Sequence, residues 1–374
     1  MSKYRFSIVA LLVIVGMLTM YIVKEKPLVS SQEQRPLQQV PEWNKEAFKN
    51  GDYQHEWEQF AQDQMPFRAS LFKAKTKVEY GLGKRVFDDV IIGKKDMLFS
   101  VVKPVSKAQR EAKEKAIKTL SKKHPEIKLE VMIIPTKEVM YPDRLPLFYQ
   151  SSSQAETLKL FQKEMKSKKI KVDDTIKILQ SHIEDGIYYR SDHHWTTDAS
   201  YAMFQATHEK RFAKEGKWEY QKYVVSDDFD GSQAKRSGYY THQKDEVSVY
   251  LLKEDFDYIV KSDYFDGLKT SVYDASKASS SNPYEVFFGN NYPRIDITTE
   301  CEKDRHLLVI KDSYANCYVP FLLPYYHSIT MVDPRYYQED IEKLIDEEGI
   351  DEILILYNYQ TFFEFDAFES LWAK

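Results

Sequence analysis

The stretch HLLVIKDSYAN, residues 306–316, decides the architecture. Four successive apolar residues, Leu307 to Ile310, show no polar alternation, so this strand must be covered on both faces. The run then gives way at once to the polar turn Lys311-Asp312-Ser313. Similar short runs recur at 128–135 (KLEVMIIP), 170–172, 329–332 and 352–357 (EILILY). Stretches with helical spacing lie between them, at 107–123, 157–166 and 197–212. Helices interleaved with continuously apolar strands predict an α/β domain around a parallel sheet. A serine just past such a strand stands at the carboxyl edge of the sheet, where these folds place their sites. Backbone N–H groups in that turn can stabilise an oxyanion. Serine is also a good helix cap, so Ser313 alone stays open between nucleophile and cap of a following helix.

Composition narrows the class. With 374 residues, 43% apolar and 30% charged, most of the chain should fold as an ordinary globular protein rather than a fibre, a disordered chain or a polytopic membrane protein. The net charge of −5 lacks the basic excess of a nucleic-acid binder. Two cysteines, Cys301 and Cys317, are too few for a disulfide scaffold or a four-thiolate zinc site. They could pair outside the cytoplasm, or Cys317 could be a small buried residue behind the site; their spacing leaves both open. The 27 tyrosines suit a sugar-contacting surface and half-buried strands equally.

Residues 6–23 (FSIVALLVIVGMLTMYIV) carry no charge and are just long enough to span a bilayer core. Lys3 and Arg5 before them favour an N-terminus left in the cytoplasm. Lys24 follows directly, and Val29-Ser30-Ser31 is a poor cleavage site, which favours an uncleaved anchor over a signal peptide. The expected organisation is a stub at 1–5, a transmembrane helix at 6–23, a flexible tether at 24–40 and a folded domain at 41–374. That domain lies outside the cytoplasm. Its segment 224–291, rich in Ser, Asp, Tyr and Lys, is expected as an elaboration beside the main sheet.

The densest polar cluster is SDHHWT, residues 191–196. In an extended segment Asp192 and His194 share a face while His193 points away. A carboxylate so placed can orient an imidazole and stabilise its protonated form. A metal would need three or four convergent ligands, and only two converge locally. The third possibility is a solvated turn around a buried Trp195. Arg335, just past the strand at 329–332, could hold a negative charge or simply pair with a carboxylate. The same two readings apply to Asn358 and to Gly289-Asn290-Asn291.

Seven blocks occur in order: DQMPFR (63–68), VIIGKKDMLF (90–99), IPTKEVMYPDRLP (134–146), DHHWTT (192–197), FFGNN (287–291), LLVIKDSYAN (307–316) and DPRYY (333–337). Together they resemble the DHHW protein family over nearly the whole chain beyond residue 40. That family looks like a relative of the alginate O-acetyltransferases, with an SGNH-hydrolase-like three-layer α/β/α fold. The resemblance implies Ser313 as nucleophile, His194 as base and Asp192 as its orienter. Asn316, Tyr314, Arg335, Asn290 and Trp195 become candidates for oxyanion or substrate contacts. Two departures stand out: Lys311 replaces the glycine of GDS-type blocks, and Thr197-Asp198-Ala199-Ser200 replaces a Pro and Gly-Ala continuation.

The activity so implied is O-acetylation of a cell-surface or secreted polysaccharide through an acetyl-enzyme. No metal or other cofactor is called for, and a membrane-bound O-acyltransferase would deliver the acetyl group. The alternatives are an acetylesterase using the same residues, a non-catalytic glycan-binding or assembly protein, and a metallohydrolase on Asp192, His193 and His194.

Overall fold

The computed structural model describes residues 2–30 and 35–372, without the side chains of residues 2, 3, 5, 6, 13 and 35. The chain forms two compact units, Met1–Asp88 with Lys235–Tyr240, and Asp89–Ala234 with Thr241–Lys374. The domain expected over 41–374 is thus divided, with 41–88 in the first unit.

In the first unit, residues 6–23 belong to a helix, Ser2–Val23. Among the described residues no helix is long and apolar enough to cross a membrane, so the expected span is not supported; the side chains of Phe6 and Val13 lie outside the description. The expected tether is tied down at several points. Val29–Ser30 pairs with Arg35–Pro36, the Gln64 amide donates to the carbonyls of Pro27 and Gln38, and Gln38 N–H donates to Asp63. Residues 31–34, which include the serine of the poor cleavage site, lie outside the described residues. Helices Asp52–Asp63 and Arg68–Gly81 are separated at Pro66, where Phe67 adopts φ 59°.

The second unit is built on one seven-stranded sheet: β1 (Lys128–Ile134), β2 (Ile170–Val172), β3 (Tyr258–Lys261), β4 (Arg294–Thr299), β5 (His306–Lys311), β6 (Ser328–Val332) and β7 (Glu352–Asn358). The order is β3-β4-β6-β5-β7-β1-β2. The five strands from β6 to β2 are parallel, whereas β3–β4 and β4–β6 are antiparallel. The sheet is therefore mixed, not parallel as expected. The missed strands alternate polar and apolar residues (RIDITT in β4), and β3 arises inside the segment taken for an elaboration. The rest of that segment contributes Asp245–Leu252, paired with Tyr220–Phe229 in a separate two-stranded sheet.

Successive core residues go to opposite faces, as a pleated strand requires. Leu307 and Val309 join one apolar cluster with Leu354, Met203 and Phe204; Leu308 and Ile310 join another with Ile355, Phe161 and Ile117. Helices Lys107–Lys123, Gln154–Met165 and Ile341–Glu347 cover the second face, and Thr197–Phe204 packs on the first. This is the three-layer arrangement, with β5 between two parallel neighbours. The turns after β5 and β7 consequently meet at one carboxyl edge.

Candidate active site

Asp312, the first residue past β5, is buried and decides the shape of the turn. One carboxylate oxygen accepts the Tyr314 N–H (2.9 Å) and the other accepts the Asn358 N–H at the end of β7 (3.0 Å). The chain then continues as 3₁₀ turns, Ser313–Cys317 and Val319–Tyr325, rather than the expected helix, because Pro320 and Pro324 cannot donate to a helical ladder. The cap of this turn is Asp312, so the Ser313 hydroxyl is not needed for capping. It lies 2.7 Å from His194 Nε2.

His194 reaches Ser313 from a bend, not from the expected strand. Asp192 Oδ1 accepts both the His194 backbone N–H (2.9 Å) and Nδ1 (2.6 Å), an Asx-type turn that folds the ring back on its own carboxylate. Asp192 Oδ2 accepts the Ser232 N–H at 2.7 Å. Asp192 is 2% exposed. Burial alone would raise its carboxyl, but the imidazoles of His193 and His194 and the bonds from His194 hold it well below the usual range. The sequence argument paired the right side chains for the wrong reason. His193 does not point away: its ring centroid is 3.9 Å from that of His194, and its Nδ1 lies 2.9 Å from the Ser232 hydroxyl. Burial and then His194 push the His193 pKa down to about 3, toward the neutral ring; its side chain is still 42% exposed, so solvent offsets part of that burial.

Four supports of this bend were not read as such in the sequence. Lys137 is 3% exposed, and its ammonium donates to the carbonyls of Tyr189 (2.9 Å) and Asp192 (2.6 Å) and to the Gln233 side chain (2.6 Å). Burial pulls its pKa down to about 7, against the opposing attraction of Asp245 and Asp192. Asp245 accepts the N–H groups of Arg190 (2.7 Å) and Ser191 (2.8 Å). A Cβ on Gly231 would stand 2.3–2.5 Å from Asp192 atoms, so only glycine lets the Ser232 N–H approach. Tyr284 stacks on His194 at 3.9 Å and 17°, and its hydroxyl donates to the Ser313 carbonyl at 3.1 Å. Lys137 lies in a quoted block and Gly231 in the run DFDGS; a glycine beside acidic residues was the one signal available.

The other candidates are placed mostly as braces. Trp195 is fully buried and donates to the Tyr314 carbonyl at 3.0 Å, while the Tyr314 hydroxyl donates to the His193 carbonyl. The Tyr314 N–H is committed to Asp312, so it is not an oxyanion donor. Asn316 accepts from Lys311 (2.9 Å) and donates to Asn291 (3.2 Å). Lys311 also donates to Asn291 (3.1 Å), so the lysine that replaces glycine ties two blocks together behind the turn. Asn290 accepts its neighbour's N–H and is exposed. Arg335 makes a two-pronged pair with Asp333 (2.9 and 2.6 Å), the structural reading weighed for it. Asn358 uses its side chain to cap the Tyr359–Glu364 helix. Both cysteines are free and buried, and Cys317 accepts from the Tyr284 hydroxyl at 3.5 Å behind the site.

Asp192, His193 and His194 offer ligand atoms within 4.8 Å of one another. The donor set is already spent: Asp192 accepts from three N–H groups, and both His194 nitrogens are engaged. The arrangement suits proton transfer at the Ser313 hydroxyl better than metal binding.

Residues 90–231 match the model of an SGNH hydrolase-like domain of the acetyltransferase AlgX. That match includes Asp192 and His194 and ends before Ser313. A DHHW family protein from Eubacterium siraeum superimposes with a TM-score of 0.62 at 19% identity, covering 76% of this chain and 96% of that one. PatB1 of Bacillus cereus, solved with a sulfonyl adduct, gives 0.62 at 18% identity, covering 75% and 97%. Among curated proteins no sequence relative matches. The chain is thus similar to AlgX-type SGNH hydrolase-like domains over 90–231 and shares its fold with the DHHW family protein and PatB1.

Proposed function

We propose that this protein is an O-acetyltransferase that moves an acetyl group onto a polysaccharide hydroxyl through an acetyl-Ser313 intermediate. The observation that carries this reading is the unbroken chain from Asp192 to His194 (2.6 Å) to Ser313 (2.7 Å). The similarity to the AlgX acetyltransferase domain supports the acyl-transfer class.

In the first half-reaction His194 Nε2 takes the hydroxyl proton as Ser313 Oγ attacks the acetyl carbonyl. Asp192 stabilises the imidazolium. The Ser313 N–H, which no hydrogen bond engages among the described residues, is the donor we assign to the oxyanion. Collapse breaks the donor's C–O bond, and His194 returns the proton to the departing oxygen. In the second half, His194 deprotonates a sugar hydroxyl, which attacks the acetyl-serine; the acetyl C–Oγ bond breaks and His194 returns the proton to Ser313 Oγ. From the sequence alone we further propose an extracytoplasmic site of action, with a membrane-bound O-acyltransferase as acetyl source.

The test is mass spectrometry of the full chain after exposure to an activated acetyl ester. An adduct on the Ser313 peptide, absent in His194→Ala, is the expected result. An adduct lifetime that shortens with sugar acceptors separates transfer from hydrolysis. A folded protein with neither adduct nor turnover, even beside its membrane partner, would overturn the reading in favour of a glycan-binding role.

A further inference from the structure

At the opposite edge of the sheet from Ser313 lies a groove of about 1320 Å³, bounded by the starts of β1, β2, β5 and β7 and by the Gln154–Met165 helix. Leu307, in its wall, is separated from Ser313 by the length of β5, about 20 Å at about 3.3 Å per residue. Its rim is cationic. Residues 159–171 contain six lysines and one acid, Glu164, in a chain whose net charge is −5. Lys159, Lys163 and Lys166 recur at the i, i+4, i+7 spacing of one helix stripe, and Lys168 and Lys169 continue it onto the loop before β2.

These five lysines are exposed, and no ion pair engages them among the described residues. Of the four acids in the lining, Glu126 and Glu156 are exposed and outnumbered by the five lysines, and the other two are neutralised by other cations. Glu130 is paired with Lys171 and Arg211, and Glu352 with Lys128 and Arg211. Among the described residues no Phe, Tyr or Trp lines the groove and the His208 ring in its wall is buried, so it offers little for a neutral sugar to stack on. Its recognition chemistry is charge over an apolar floor that includes Leu160 and Ile127. A concave groove suits an extended chain better than a flat bilayer.

We infer that this groove binds an anionic polysaccharide, one bearing carboxylate or phosphate groups, and that the acceptor polymer is held here while its hydroxyls are presented elsewhere on the chain. The acceptor role rests on the acetyl-transfer reading above; anion binding in the groove does not. The experiment titrates the full chain with labelled polygalacturonate, with neutral dextran and with vesicles containing phosphatidylglycerol, at low and high salt. It is repeated on the Lys163→Gln/Lys166→Gln/Lys168→Gln variant.

Polygalacturonate should bind in a salt-sensitive way, dextran should not, and the variant should lose on the order of tenfold in affinity. Its acetylation of Ser313 by a small ester should be unchanged. Equal polymer binding by variant and parent, or equal binding of dextran, would overturn the inference. So would loss of vesicle binding in the variant with no polygalacturonate binding in the parent, which would assign the patch to a membrane. Lys-dependent polymer binding without any Ser313 adduct would keep the groove and remove the transferase reading.

Discussion

The nucleophile and its base are held in opposite ways. Ser313 stands on a turn that the sheet itself delivers: β5 is hydrogen-bonded on both sides, and Asp312 ties the turn to the end of β7. His194 stands on a bend with no regular structure, fixed by groups from distant parts of the chain, the Lys137 and Asp245 side chains and the Ser232 N–H. The difference teaches where sensitivity should lie. A strand end spreads its support over many backbone bonds, whereas the bend depends on a few buried polar contacts, each costly to remove.

The strongest test asks whether the two regions work as one unit. Ser313→Ala and His194→Ala should each lower ester turnover by about a thousandfold or more, and the double variant should be no worse than either single one. Losses that multiply in kcat/KM would show that the regions act independently.

Next comes the bend. Lys137→Met strands four acceptors, and should cost about 2–4 kcal/mol of unfolding free energy and about a hundredfold in turnover. The buried ammonium also has a pH signature. With a pKa near 7 when folded against about 10.5 when unfolded, Lys137 lets the unfolded chain hold an extra proton between those values. Stability from this group should therefore rise as pH climbs from about 7 to about 10.5 and be flat below. Denaturant titrations of parent and variant across that range should differ by this slope; a constant difference would show that Lys137 keeps its proton in the folded chain and would remove the depressed pKa from the account.

Gly231→Ala should be smaller. The added Cβ displaces Asp192, costing about 1–3 kcal/mol and roughly tenfold in turnover, with KM for small esters little changed. On the strand side, Tyr284→Phe removes the bond to the Ser313 carbonyl but keeps the ring on His194. Its cost should not exceed about tenfold in kcat, since β5 still carries the turn. A loss as deep as that of Lys137→Met would erase the contrast.

The same contrast explains what the sequence disclosed. Runs such as LLVI and EILIL read as strands because burial on both faces needs no partner to be visible, and Ser313 followed from where β5 ends. β3 and β4 were missed for related reasons: β3 is a short edge strand inside a tyrosine- and serine-rich segment that looks like loop, and β4 beside it is half-buried and alternates in polarity. Asp192 and His194 were legible because they are two residues apart. Lys137, Asp245 and Ser232 were not, since their contacts span 40–55 positions and leave no local period. Trp195, Tyr314 and Asn316 drew notice beside the site, yet their side-chain polar atoms are spent on the carbonyls of Tyr314 and His193 or on Lys311 and Asn291.

Because Asp312 rather than Ser313 closes the turn, the serine oxygen can change its bonding without disturbing the backbone beneath it. When Ser313 carries an acyl group it loses its hydroxyl hydrogen, and a turn that relied on that hydroxyl would loosen at the moment an acceptor must be met. Here the bonds from Tyr314 and Asn358 to Asp312 persist through both halves of a covalent cycle. The esterified and free forms should accordingly share one backbone, leaving the intermediate as well aligned for its second attack as the serine was for its first.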